Sequence, residues 1–374
     1  MNVYKILFFL IAAAVIYNCS DKPVTYTIET IGGIKHYKNT GEPSAAYKPE
    51  TKFLFEIKGP ANVPDSMKGF GRIADLVCDD LDNIYILDEL HGVVKKYNSK
   101  GEFERYFPEQ SGDDVKYVKS PSQIVLLCDT VIIYGKGKWL DYLSNGQYLF
   151  SKEFYAGGTE IGSMKSNGRD YMAAFCPKKR KDRTDSIYYF SNNLHVLSRR
   201  FEPQTVIKNI KKYIDDKFYF PDIMTSFALK NDIFYVADNE GSAYRIYAIN
   251  ARGISEYVIE KSNKDVPYNN YEMHVINEMN KTYGFNDIDT TAVYYKKPVS
   301  AIEIDRNNRL WVKPTVFRTE NNKDSTYIDI FSEGIFINRT VLDFVTGNET
   351  FKLAGNFLFV ISADGRSVRV YSYE

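Results

Sequence analysis

Between Ile73 and Phe107 the chain alternates short apolar runs with polar turn formers, reading IADLVCDDLDNIYILDELHGVVKKYNSKGEFERYF. The apolar runs are Ile73–Cys78, Ile84–Leu87, Val93–Tyr97 and Phe103–Phe107. Runs this short, bounded by turn signals, fit strands better than helices. The separators supply Gly, which tolerates positive φ, and Asx side chains, which bond their own backbone. The pattern predicts an antiparallel meander of four strands.

The inner strand pair of this unit recurs along the chain. IVLLCDTVIIY spans Ile124–Tyr134, FALKNDIFYV spans Phe227–Val236, AIEIDRNNRLWV spans Ala301–Val312 and KLAGNFLFVI spans Lys352–Ile361. A weaker copy, GSMKSNGRDYMAAF, covers Gly162–Phe175, which makes six in all. Self-similarity at such spacing marks a propeller or another repeat fold.

An outer pair follows most inner pairs. Leu140–Leu143 and Gln147–Phe154 flank Ser144-Asn145-Gly146; Ser186–Ser191 and His195–Phe201 flank Asn192-Asn193; Ala243–Ile249 and Ser255–Ile259 flank Asn250–Gly253. Tyr327–Phe331 and Phe336–Phe344 follow the fifth copy. The sixth has only Ser367–Tyr373 before the chain ends. Thr51–Ile57, with FLFEI at its centre, has no nearby partner and is expected to finish the sixth sheet, sealing the ring and removing an exposed edge. The fold class predicted is all-β: a six-bladed β-propeller over residues 51–374, closed by an N-terminal strand.

Two connections exceed what a propeller needs. Pro203–Pro221 carries Val206, Ile207, Ile210 and Ile214, and Ser262–Pro298 carries Met273, Ile276, Met279 and Tyr283. Both spacings predict a helical face. Both follow an outer strand, so these insertions belong on the face that also carries the loops between second and third strands.

Composition agrees with a β-rich chain. Of 374 residues, 30 are Tyr and 24 Phe, types that suit a pleated, half-buried surface. Lys+Arg and Asp+Glu balance at 48 each, which leaves no electrostatic footprint for nucleic acid.

Lys5 precedes the apolar run Ile6–Tyr17, too short to span a bilayer and matching a secretory signal. It ends in Ile16-Tyr17-Asn18-Cys19, which resembles a bacterial lipoprotein signal with Asn18 in place of the usual small residue. The resemblance implies a signal peptide over residues 1–18, lipidation at Cys19 and an envelope location, on the outer membrane. Residues 19–50 read as a polar tether carrying a marginal hairpin, Thr25–Ile31 and Ile34–Tyr37 about Gly32-Gly33.

The unit Asp-Asn-Ile-Tyr-Ile-Leu-Asp, then Val-Val-Lys-Lys-Tyr-Asn-Ser-Lys-Gly-Glu-Phe, is similar to NHL-type repeats. Asp238 with Arg245–Tyr247, and Asp364 with Arg369–Tyr371, echo its acidic, basic, aromatic order. The chain from about residue 24 onward resembles the six-bladed propeller lipoproteins of Gram-negative bacteria. It departs from them after the first unit, where Pro108–Asp113 replaces a Gly-rich loop.

Candidate chemistry is sparse. His36, His91, His195 and His274 show no metal-ligand spacing, and no metal or cofactor is expected. Asp79–Asn83 and Asp305–Asn308 lack the Gly and terminal Glu of a calcium loop and read as Asx turns. Cys78, Cys128 and Cys176 fall in separate units and read as free thiols. Lys178–Arg183 is the one basic run.

Site candidates come from the loops after each second strand. Asp88 and Asp238 recur between units, which favours a structural role. The asymmetric residues are Glu89 and His91, Lys136, Lys138 and Trp139, Glu240, and Lys313 and Arg318. Together they mix charge with an aromatic platform, suited to a peptide, glycan or partner protein. The reading is a lipid-anchored binding module. The alternative is a propeller hydrolase or lyase working at the channel mouth, with two carboxylates, or a His and a carboxylate, in reach of each other.

Overall fold

A computed structural model describes residues 25–374 apart from 45–46, 62, 65–66, 109–115, 154–160, 182–187, 215–219, 239–242, 283–291 and 317–324. Six antiparallel sheets stand around an axis. From the axis outward the strands of each blade are a, b, c and d.

Blade one is Ile73–Cys78, Ile84–Asp88, Val93–Tyr97 and Phe103–Phe107. Blade two is Pro121–Leu127, Thr130–Gly135, Lys138–Leu143 and Tyr148–Glu153. Blade three is Met164–Ser166, Met172–Lys181, Tyr188–Leu197 and Pro203–Lys208. Blade four is Phe227–Lys230, Ile233–Ala237, Tyr244–Asn250 and Ser255–Lys261. Blade five is Val299–Ile304, Leu310–Pro314, Thr326–Ser332 and Ile335–Leu342. Blade six takes Thr350–Ala354, Phe357–Ile361 and Val368–Tyr373 from the end of the chain and Thr51–Ile57 from its beginning. Val368 pairs with Ile57 and Tyr373 with Thr51, so the expected closure is present.

The b strands are buried on both faces because each is clasped by two neighbouring blades. Apolar side chains gather into six cores, each shared by adjacent blades. The cluster of Ile57, Phe359 and Val368 with Leu76 and Ile86 joins the last blade to the first. Burial therefore closes the ring as well as hydrogen bonds do.

The early hairpin is Tyr26–Ile31 and Ile34–Asn39. It adds two strands to blade four, with Ile34–Asn39 running parallel to strand d. Asn39 fixes it there. Its Nδ2 donates to the carbonyls of Tyr37, Glu260 and Gly334, and its Oδ1 accepts from Phe336 N at 2.7 Å.

Two expectations need correction. Asn192-Asn193 makes no turn: both lie inside the continuous strand Tyr188–Leu197. Their side chains bond outward, Asn192 Nδ2 to Ile223 O and Asn193 Oδ1 from Ile210 N, so they do not redirect their own backbone. Pro203–Pro221 holds strands Pro203–Lys208 and Lys211–Tyr213 rather than a helix; both pair with strand c of blade three. Ile207 and Ile210 are buried there while Val206 is exposed, the alternation of an edge strand opened by a proline. In Ser262–Pro298 the helix does form, as α1 (Asn270–Thr282). A capping box starts it: Asn269 Oδ1 accepts from Glu272 N, and Glu272 Oε2 accepts from Asn269 N. Tyr283 lies outside the described residues.

Candidate functional site

The innermost strands carry the signal that matters. Each a strand carries one charged or amide side chain: Asp75, Gln123, Lys165, Lys230, Glu303 and Lys352. Most of these charges meet a counter-charge from another blade. Lys352 Nζ donates to Asp75 Oδ1, and Lys165 Nζ donates to Glu303 Oε1 at 3.4 Å. Asp75 also accepts from Ile124 N, so one carboxylate ties blade one to blades two and six. Burial opposes the charge on Lys165, but Glu303 and Asp75 outweigh it and hold the ammonium above its ordinary range. Lys230 Nζ donates to the carbonyl of Asp305 at 2.5 Å, and burial pulls its ammonium down despite the nearby Asp305 carboxylate.

Above this layer stand the turns between strands a and b. Asp79 and Asp305 hold equivalent places. Asp79 accepts from Leu81 N, Asn83 N, Asn83 Nδ2 and Tyr85 OH. Asp305 accepts from Asn307 N, Arg309 N, Arg309 Nε and Trp311 Nε1. In both, the chain itself uses the lone pairs. Other turn residues stitch neighbouring blades. Asn356 donates to Asp82 from N and Nδ2, Arg306 Nη1 donates to Asn356 Oδ1, Asn231 Nδ2 donates to Asn308 Oδ1, and Tyr171 OH donates to Asp232.

These two layers enclose a cavity of about 820 Å³, lined by all six blades. It opens on the face of the a–b turns. Its lining includes Lys165, Lys230, Glu303, Arg306 and Lys352, with Asp80, Asp82 and Asp129 at the mouth. Cys78 and Cys128 also line it. Among the described residues no aromatic side chain does, in a chain that is 15% aromatic. Among the described residues no group of three or more His, Cys, Asp or Glu side chains is placed to hold a metal.

Of the residues singled out from the sequence, Asp88, Glu89, His91, Lys136, Lys138, Trp139, Asp238 and Lys313 are described; they lie toward the other end of the propeller, outside this cavity. Asp88 is fully buried, accepting from Gly71 N, His91 N and Lys95 Nζ, with His91 Nδ1 at 2.7 Å. Burial would raise its carboxyl, but Lys95 and those backbone donors hold it below the usual range. Burial in turn pulls the Lys95 ammonium down more than Asp88 restores. Glu89 accepts two bonds from the guanidinium of Arg72. Asp238 repeats the Asp88 arrangement with Arg245 and Tyr247. These clusters fasten a strand to its neighbour.

Trp139 is no platform. It is fully buried in the core between blades two and three, its ring stacked on Phe201 at 4.0 Å between centroids. A large apolar ring at the start of strand c gains more from that core than from solvent. Lys136 is exposed in the b–c turn at φ 27°, Lys138 is half-buried 4.0 Å from Glu153, and Lys313 is half-buried. Glu240 and Arg318 fall outside the described residues. Sequence reasoning looked at loops, where asymmetry is visible, and passed over single charges within apolar strands.

No family model and no curated protein matches the chain. Solved structures similar to it include one titled "Crystal Structure of Mitotic Checkpoint Complex", at 11% identity and TM-score 0.45, covering 88% of this chain and 94% of that one. Another is the PQQ-bound aldose sugar dehydrogenase from Streptomyces coelicolor, at 11% and 0.44, covering 89% and 100%. A third is the virginiamycin B lyase from Staphylococcus aureus, at 11% and 0.40, covering 87% and 99%. At that identity and TM-score these likenesses assign no activity to this chain.

Proposed function

We propose that this chain is a lipid-anchored propeller of the bacterial envelope, with NHL-type repeats, that binds a short peptide segment in its axial cavity without transforming it. One observation carries the ligand class: the cavity offers fixed charges of both signs and, among the described residues, no aromatic face. Sugar rings are commonly held by stacking on aromatic side chains. A peptide instead brings amide groups and charges of both signs, which the Lys165–Glu303 and Lys352–Asp75 pairs, Lys230 and the mouth carboxylates can meet.

In the deep layer the pairing of charges favours binding over the hydrolase or lyase reading. Among the described residues each carboxylate of the deep layer faces a lysine, and Asp79 is saturated by its own turn. A general acid or base needs a carboxylate or imidazole with spare bonding capacity beside the substrate. The His–carboxylate contacts among the described residues, His91 with Asp88 at 2.7 Å and His36 with Glu260 at 3.4 Å, sit outside the cavity.

Isothermal titration of zwitterionic tri- to pentapeptides against neutral oligosaccharides of similar size tests the reading. Peptides alone should bind, and Lys165→Met should weaken them at least about tenfold. Oligosaccharide binding without peptide binding, or affinity indifferent to Lys165, would sink it. Intact-mass analysis of the envelope protein tests acylation at Cys19.

A further inference from the structure

The face opposite the cavity mouth gathers a different set of residues. Strands b and c of blade three run ten residues each, far past the rest of the blade on that side. The extension is Pro177–Lys181 paired with Tyr188–Asn192, and Lys211–Tyr213 adds a third strand. These strands carry Lys178, Lys179, Arg180, Lys181, Lys211 and Lys212 and no acidic residue. In sequence, residues 177–192 and 211–217 hold eight Lys and Arg against four Asp, in a chain with no net charge. Tyr188 and Tyr213 are about half exposed beside them. Lys211 lies 4.2 Å from the ring centre of Tyr189 and 4.6 Å from that of Tyr213.

Two more features share this face. The connection from blade four to blade five carries α1, whose outward side exposes Tyr271 at 75%, Val275 and Met279, and Met224 is exposed just before blade four. The hairpin of residues 26–39 begins here too. Tyr26 pairs with Asn39 and Asn39 with Lys261, the end of strand d on the side away from the mouth. Tyr26 is seven residue steps from Cys19, a reach of at most about 25 Å at ~3.5 Å per step.

We infer that this face of blades three to five docks on an anionic phospholipid bilayer, so that the cavity mouth points away from the membrane. The inference rests on the acylation of Cys19 only for the tether. The surface argues independently, through clustered cations, tyrosines suited to a headgroup layer, and an exposed apolar helix side. The occupant is a lipid surface rather than a protein because cations and apolar groups lie in separate, adjacent patches on one side. An interfacial layer meets both at once.

The test uses the full acylated protein in proteoliposomes containing phosphatidylglycerol and bromolipid. A tryptophan reporter placed by Tyr188→Trp should lose emission. One placed at the mouth by Leu81→Trp, where the native side chain is 78% exposed, should not. The triple change Lys178→Glu, Arg180→Glu and Lys211→Glu should abolish the quenching at residue 188. Removal of one cation near such a surface weakens attachment by about fivefold. Peptide affinity should stay within about twofold of its value in detergent, because the mouth is open to solvent. Equal quenching at both reporters, quenching at 81 alone, or indifference to phosphatidylglycerol would overturn the orientation. An unmodified Cys19 would remove the anchor but leave the vesicle result to stand or fall alone. Absence of any peptide ligand would not move the reporters.

Discussion

Lys165 of blade three and Glu303 of blade five meet across the propeller axis, Nζ to Oε1 3.4 Å apart. The pair spans two blades that are not neighbours, so it braces the floor of the cavity. Glu303→Gln keeps the shape and removes the charge. Both side chains keep some solvent contact, which limits the expected loss to about 1–2 kcal/mol. Urea unfolding of Glu303→Gln, Lys165→Met and the double variant measures this. The double variant should lose less than the sum of the singles by about 1 kcal/mol. Strict additivity would mean that the contact contributes nothing.

Asn39 is the bolt of the N-terminal hairpin. Replacing it with Ala strands Phe336 N and the carbonyl of Gly334 in a buried place. An unsatisfied buried backbone group costs about 1–3 kcal/mol. Hydrogen exchange should show residues 26–39 opening well before blade four in Asn39→Ala, and together with it in the parent chain. Unchanged protection across 26–39 would assign the docking to the strand ladder alone.

Why the ring was legible while the cavity was not follows from what each requires. A blade needs the same apolar alternation and the same Asx turns every time, so Asp79 and Asp305 announce their turns by repetition. Ring closure was readable because FLFEI had no local partner and the last blade lacked one strand. Asn192-Asn193 misled because an Asx pair signals a turn only if its side chains stay home; here Ile223 and Ile210 engage them. The cavity charges are single residues inside apolar runs, and in one dimension Lys165 and Glu303 look like ordinary strand noise. Only the circular arrangement brings them together.

Asp141 gives the stability of blade two a pH dependence of unusual sign. Its Oδ1 is buried with no partner among the described residues, and burial pushes the carboxyl up to about 6, with Arg199 opposing. Its unfolded value is near ~3.9. Between these limits the native state holds a proton that the unfolded chain has released. Stability from this group is therefore full below about pH 4 and lost as pH rises toward 6. Asp141→Asn should be more stable than the parent at pH 7 by about 2 kcal/mol and equal to it at pH 4. Denaturation curves at the two pH values decide the matter; a gain of equal size at both would rule out titration as the cause.

Trp139 separates core from rim. With its ring stacked on Phe201 and no solvent exposure, Trp139→Ala should cost about 3–5 kcal/mol. Peptide affinity, measured well below the melting temperature, should not change. A variant that folds as stably as the parent but loses ligand would restore the loop face as the binding surface.

Cys128 offers a chemical probe of the cavity itself. It sits in the a–b turn of blade two at φ 53°, exposed and on the cavity wall, its Sγ 3.0 Å from Arg169 O. Cys78 shares the cavity, but burial raises its thiol well above the ordinary value, and Cys176 is pushed up to about 12 for the same reason. The thiolate is the reacting species, so N-ethylmaleimide should modify Cys128 first at neutral pH. The adduct occupies the mouth and should weaken peptide binding at least about tenfold. Cys128→Ser should bind peptide normally and be immune to the reagent. Stoichiometric alkylation of Cys128 with undiminished binding would place the ligand somewhere other than the axial cavity.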